Sequence, residues 1–176
     1  MKRFIISLSF IFLFSGTGCA SGKIHERNYL RAAVISGTDS SSVTMAFFDT
    51  DDTVSAQGED MDSARHNAEL KNGRNVFTGY TELLIVDGTD CRWLLEHMLN
   101  DWKVSPSCMV VCSDDGEKLL DEHSAEQLRG IAEQAVKKGI APECDIITVL
   151  GDLCTEGSAE VAELRSDGTV SARDIF

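Results

Sequence analysis

A chain of 176 residues, 43% hydrophobic and 26% charged, has the composition of one globular domain with a sizeable core and no length for several. Twenty-nine acidic residues against sixteen basic ones give a net charge of −13, which excludes nucleic acid and anionic headgroups as partners held by overall charge. Removal of Lys2 and Arg3 with an N-terminal signal would leave the remainder more acidic still.

Residues 1–18 read as that signal. Lys2 and Arg3 form a basic head, 4–14 is an apolar run too short for a comfortable membrane span, and Ser15-Gly16-Thr17-Gly18 supplies small residues. A cysteine directly after a small pair is where bacterial lipoprotein processing cuts and acylates, so Cys19 is the expected site of a palmitate-type lipid. Membrane attachment is then expected through that lipid. Gly16 stands where a lipobox usually has leucine, and a soluble secreted form or an uncleaved anchor over 4–14 are the alternatives. Residues 19–28 form a polar leader, and 29–176 the expected domain.

Along the domain, 29–36 reads as a strand, 37–41 as a turn, and 42–48 as the strand that pairs back in a hairpin. An acidic loop follows over 49–53. A helix is predicted over 60–72, opened by Glu59-Asp60 and stopped by Gly73. Residues 81–86 form the next strand. Thr89 or Asp90 can cap a helix that places Leu94, Leu95, Met98, Leu99 and Trp102 on one face. Residues 108–112 are a buried-type strand, and Ser124 caps a helix with an apolar stripe from Leu128 to Val136, closed by Gly139. A further helix is predicted over 145–154. The segments 159–164 and 169–172 flank Ser166-Asp-Gly168, a hairpin signal. Alternating strands and helices predict an α/β fold, a mixed β-sheet packed with three to four helices in a single domain.

Chemistry-bearing residues do not converge into a known pattern. With Cys19 acylated, Cys91, Cys108, Cys112, Cys144 and Cys154 remain, an odd number that cannot complete a disulfide framework. Their apolar neighbours predict buried thiols. No Cys-x-x-Cys or His-x-x-x-His occurs, which argues against zinc, and Asp49, Asp51 and Asp52 lack the closing bidentate acid of a calcium loop. Phosphate-binding, nucleophile-elbow and zincin motifs do not occur either. Cys91 and His97 lie six positions apart, on largely different faces of one helix, so a nucleophile–base pair is not expected. A non-enzymatic chain without metal or cofactor is the reading. Aromatic residues make good interface anchors, so Trp93 and His97 are the candidate partner surface, while Trp102 is assigned to the core.

The order of these pieces carries a resemblance. After the cysteine comes Glu26-Arg-Asn-Tyr-Leu30-Arg-Ala-Ala-Val34, then Ser55-Ala-Gln-Gly58-Glu-Asp-Met-Asp-Ser-Ala64. There follow Phe77-Thr-Gly79-Tyr80, Glu82-Leu-Leu-Ile-Val86, the helix ending in Asn100-Asp101, and Pro106-Ser-Cys-Met-Val-Val111. This series resembles the N-terminal domain of the Ger(x)C lipoproteins, the C subunits of GerA-type spore germinant receptors. It departs from them in having no Trp after Cys19, Tyr80 for a histidine and Asn100 for an arginine, and the family's larger C-terminal region does not follow.

The resemblance implies a lipid-anchored adaptor on the extracytoplasmic face of the spore inner membrane, with integral membrane receptor subunits as partners. A membrane-anchored solute-binding or hydrolytic lipoprotein is the alternative. Phe176 falls in a strand-like run, so a truncated product and a one-domain form are both open. In either case an unpaired C-terminal strand edge is expected to favour self-association.

Overall fold

The computed structural model describes residues 27–37, 41–88 and 90–176. Cys19, His25, Thr89 and most of the 37–41 turn lie outside the described residues, as does the signal. The strands are β1 (Arg27–Ser36), β2 (Ser41–Phe47), β3 (Thr53–Gly58), β4 (Asn75–Phe77), β5 (Leu83–Val86), β6 (Met109–Cys112), β7 (Ala159–Leu164) and β8 (Val170–Ile175). The helices are α1 (Met61–Asn72), α2 (Cys91–Asn100), α3 (Gly116–Glu122), α4 (Ala125–Lys137) and α5 (Ile146–Thr155).

All eight strands join one mixed sheet in the order β3-β2-β1-β5-β6-β7-β8, with β4 pairing the start of β1. β1, β5, β6 and β7 run parallel, whereas β2, β3 and β8 join through antiparallel pairs. A parallel strand with helices on both faces buries both sets of side chains, which is why Leu83–Val86 is apolar throughout and wholly buried. Leu84, Val86, Val110 and Cys112 face α1, α2 and α5, and Leu83, Ile85 and Val111 face α3 and α4. In β1 the alternation slips at a bulge between Leu30 and Ala32, so Leu30 shares the α1 face with Ala33 and Ile35.

The fold class is as the sequence reads: mixed sheet, single domain. Five helices are described, one more than the largest expected number, because α3 spans only seven residues and offers too short a stripe to read. β3, which runs from the expected acidic loop towards α1 and shows no strand pattern in the sequence, is an edge strand, mostly polar because only Ala56 is buried. β4 is a three-residue pairing that no periodicity announces. Ser124 caps α4 as expected, its side chain accepting the Gln127 amide proton. The Asp60 and Asp145 side chains likewise accept first-turn amide protons of α1 and α5, so Asp145 stands before its helix and not within it. Gly73 ends α1 in the left-handed region at φ 71°.

Asp90 is a correction. It sits at the start of α2 in the left-handed region, φ 46°, and its side chain makes no capping hydrogen bond. Asp114 and Asp115 precede α3 without capping it. Asp114 pairs with Arg173 at 2.8 Å, and Asp115 accepts from Ser166 Oγ at 3.1 Å. β8 does stand at the sheet edge, but Arg173 and Asp174 interrupt its apolar pattern and Ile175 turns into the core.

Candidate functional site

Trp93 and His97 lie one helical turn apart on α2, which brings their side chains onto one face. The indole is 50% exposed and the imidazole stacks on it, with ring centroids 5.3 Å apart and planes 17° from parallel. His97 Nδ1 lies 3.0 Å from Asp101 Oδ2, and Nε2 lies 3.3 Å from Asp62 Oδ1 without the alignment of a hydrogen bond. Asp62 comes from α1, so His97 lies between the two helices with a carboxylate near each ring nitrogen. The structure therefore brings the two sequence-predicted surface residues together, with Trp93 outermost.

Trp102 closes the back of this group. It is 1% exposed, its Nε1 donates to Asp62 Oδ1 at 3.2 Å, and Arg65 lies over its ring at 5.3 Å. Thr78 Oγ1 donates to its carbonyl oxygen. Trp102 thus ties α1, α2 and the segment before β5, the core role read from the sequence. Asp60, which caps α1 nearby, is held below the usual carboxylate range chiefly by the Ser63 amide.

A second feature is a cleft of about 650 Å³ at the carboxyl ends of β1, β5 and β6, lined by Ser36, Asp87, Asp114, Asp115, Glu117 and Asp121. Strand carboxyl ends are the usual ligand seat of α/β sheets. Among the described residues, however, no three histidine, cysteine, aspartate or glutamate side chains form a metal-binding group.

The four buried thiols are poor nucleophiles. Cys91, Cys108, Cys112 and Cys144 are buried and unpaired, as expected, whereas Cys154 is free and exposed. Burial pushes Cys91 up to about 12, with Cys112 and Asp87 adding to it, and pushes Cys112 up to about 11. Cys108 and Cys144 are raised by burial as well. These four are thiols at neutral pH, unsuited to nucleophilic attack.

Glu163 was missed in the sequence. In Ala159–Leu164 it reads as one of the outward positions of an ordinary strand. It is in fact 6% exposed, accepting from Ser171 Oγ at 2.8 Å, from Arg173 Nη1 at 3.1 Å and from Arg165 Nη2. Burial raises its carboxyl, but these donors outweigh burial and hold it below the usual range. Its role is to fix the β7–β8 hairpin, and Arg173 extends the network to Asp114.

Two glycines explain parts of the sequence pattern. A Cβ on Gly58 would lie 2.3 Å from the Ala64 backbone nitrogen, so the Ser55-to-Ala64 stretch needs glycine where α1 folds back on β3. A Cβ on Gly116 would lie 2.7 Å from Val34 Cγ1, so α3 starts against the sheet.

A family model described as the spore germination protein N-terminal domain matches residues 26–165. That span takes in β1 to β7 with all five helices, and stops before β8. No match is found among curated proteins or among solved structures. With most of its length matched, this chain belongs to the spore germination protein N-terminal domain family, and its role is a germination-related one.

Proposed function

We propose that this domain is a non-enzymatic adaptor of a spore germinant-receptor assembly, held by a lipid on Cys19 at the extracytoplasmic face of the spore inner membrane. The family match over 26–165 is the observation that carries this reading. The proposed attachment is through the N-terminal segment; no helix among the described residues is long and apolar enough to cross a membrane. The lipid raises the domain's local concentration beside integral membrane receptor subunits. Trp93, backed by His97 and Trp102, is the proposed anchor for those subunits, since a half-exposed indole on a rigid base loses little entropy on docking.

The test is co-purification from spore membranes. The wild-type chain should bring down multi-span receptor subunits, and Trp93→Ala should weaken that association while leaving the chain folded and membrane-bound. Undiminished association of Trp93→Ala would move the docking surface elsewhere. Contact of the β8 edge with a second copy is a further proposal, read by concentration-dependent sedimentation. A monomer at every concentration ends it.

A further inference from the structure

We propose that the end of the domain carrying the amino termini of β1, β5 and β6 rests directly on the lipid bilayer, with Phe48, Tyr80, Ile140 and Ile147 as its apolar contacts. The proposal rests on the Cys19 anchor and adds to it an orientation.

The parallel strands give the domain two unlike ends. At the carboxyl ends of β1, β5 and β6 lies the acidic cleft, with Asp87, Asp114, Asp115 and Glu117 on its walls. At the amino ends the surface is apolar in patches. The Phe48 amide donates to the Tyr29 carbonyl at 3.1 Å, which places Phe48, 41% exposed, beside the beginning of β1. Tyr80 is 62% exposed and stacks on Tyr29 at 5.9 Å while meeting Phe77 edge-on at 5.2 Å. Ile140 and Ile147, 44% and 54% exposed, bracket the segment whose Asp145 bridges to Met109 at the start of β6. Two open grooves, about 540 and 320 Å³, lie on this end and share Ser107.

The path of the chain selects the occupant. Arg27 opens β1 at this same end, eight residues after Cys19. Eight residues reach at most about 30 Å when fully extended, so a lipid on Cys19 holds this end, and not the acidic one, next to the membrane. Tyrosine, with an apolar ring and a polar tip, and isoleucine are side chains that settle at a bilayer surface. Charge does not drive the contact. Arg27, Arg74, Lys103, Lys137 and Lys138 are exposed at this end, but Asp49, Asp51, Asp52 and Glu143 accompany them. Apolar insertion predicts insensitivity to salt, which electrostatic adhesion would not show.

The experiment uses the acylated full chain in phosphatidylethanolamine–phosphatidylglycerol vesicles, with and without bromine on the acyl chains. Brominated chains quench only indoles at the membrane. Native Trp93 and Trp102 report the wild type, and Tyr80→Trp and Ile147→Trp place an indole on the proposed face at exposed positions. Both variants should lose emission on brominated vesicles, in low and high salt and at every protein density, while the wild type keeps its own. Quenching of the wild type equal to that of the variants would overturn the orientation, as would unquenched variants on a chain that still floats with the vesicles. Quenching that appears only at high protein density would assign the face to a second copy and overturn it equally. A chain that does not float at all removes the Cys19 anchor first, and the orientation with it.

Discussion

The backbone amide of Cys91, first residue of α2, donates to the carbonyl oxygen of Phe176 at 2.6 Å. Asp90 provides no side-chain cap, so an orphan donor of the helix start is satisfied by the residue that follows β8. Ile175, fully buried, packs in the same core cluster as Cys91 and Leu94. The terminal strand, beyond the span of the family match, therefore anchors the helix that carries Trp93 and His97.

Ile175→Ala should destabilise the domain by about 2–5 kcal/mol, the usual cost of a large-to-small change in a tight core. Denaturant unfolding measures it. A loss of only a few tenths would mean that β8 is dispensable to the core.

Gly116→Ala should cost about 1–3 kcal/mol by overpacking, because the new methyl meets Val34 Cγ1 at 2.7 Å and Ile85 Cγ2 at 3.0 Å. Gly130→Ala is the control. Nothing lies within 4 Å of its added carbon and the site is helical, so it should be neutral or stabilising. Equal effects of the two would contradict a close approach of α3 to the sheet.

Glu163 makes stability depend on pH. Its folded carboxyl titrates below the ordinary value of 4.5, so its contribution is fully present above that value and is lost as pH falls through the lower, folded one. Glu163→Gln should remove part of that acid limb and cost about 1–2 kcal/mol at neutral pH, discounted because Arg165 and Arg173 are partly solvated. Chemical denaturation at a series of pH values reads both effects. An unchanged acid limb would assign the pH dependence to other carboxylates.

Thiol labelling separates the cysteines. Cys154 should react quickly with a maleimide at neutral pH in the folded chain, whereas Cys91, Cys108, Cys112 and Cys144 should wait for unfolding. Mass spectrometry of the labelled peptides shows the order. Fast modification of Cys91 would reopen a nucleophilic role for it.

The elements legible in the sequence were those with local signals. The helix from Met61 is bracketed by Asp60 and Gly73, and the apolar run Leu83–Val86, ended by Asp87-Gly88, reads as a strand buried on both faces. What escaped was decided by neighbours distant in sequence. Thr53–Gly58 looks like a loop because only Ala56 is buried, and its strand character comes from pairing with β2. Glu163 looks solvated until Ser171 and Arg173 close over it from the next strand. Trp93 and His97 were named in the sequence for their aromatic character, but the approach of Asp62 to His97 from α1 was not readable there.

The central claim is a germination adaptor that works from the membrane through Cys19. It is tested most directly by the germination rate of spores in which Cys19→Ser replaces the wild-type chain, set beside spores lacking the chain. The account predicts that both germinate poorly in response to the receptor's germinant while the wild type responds normally. A wild-type response from the Cys19→Ser spores, with the deletion defective, would contradict it.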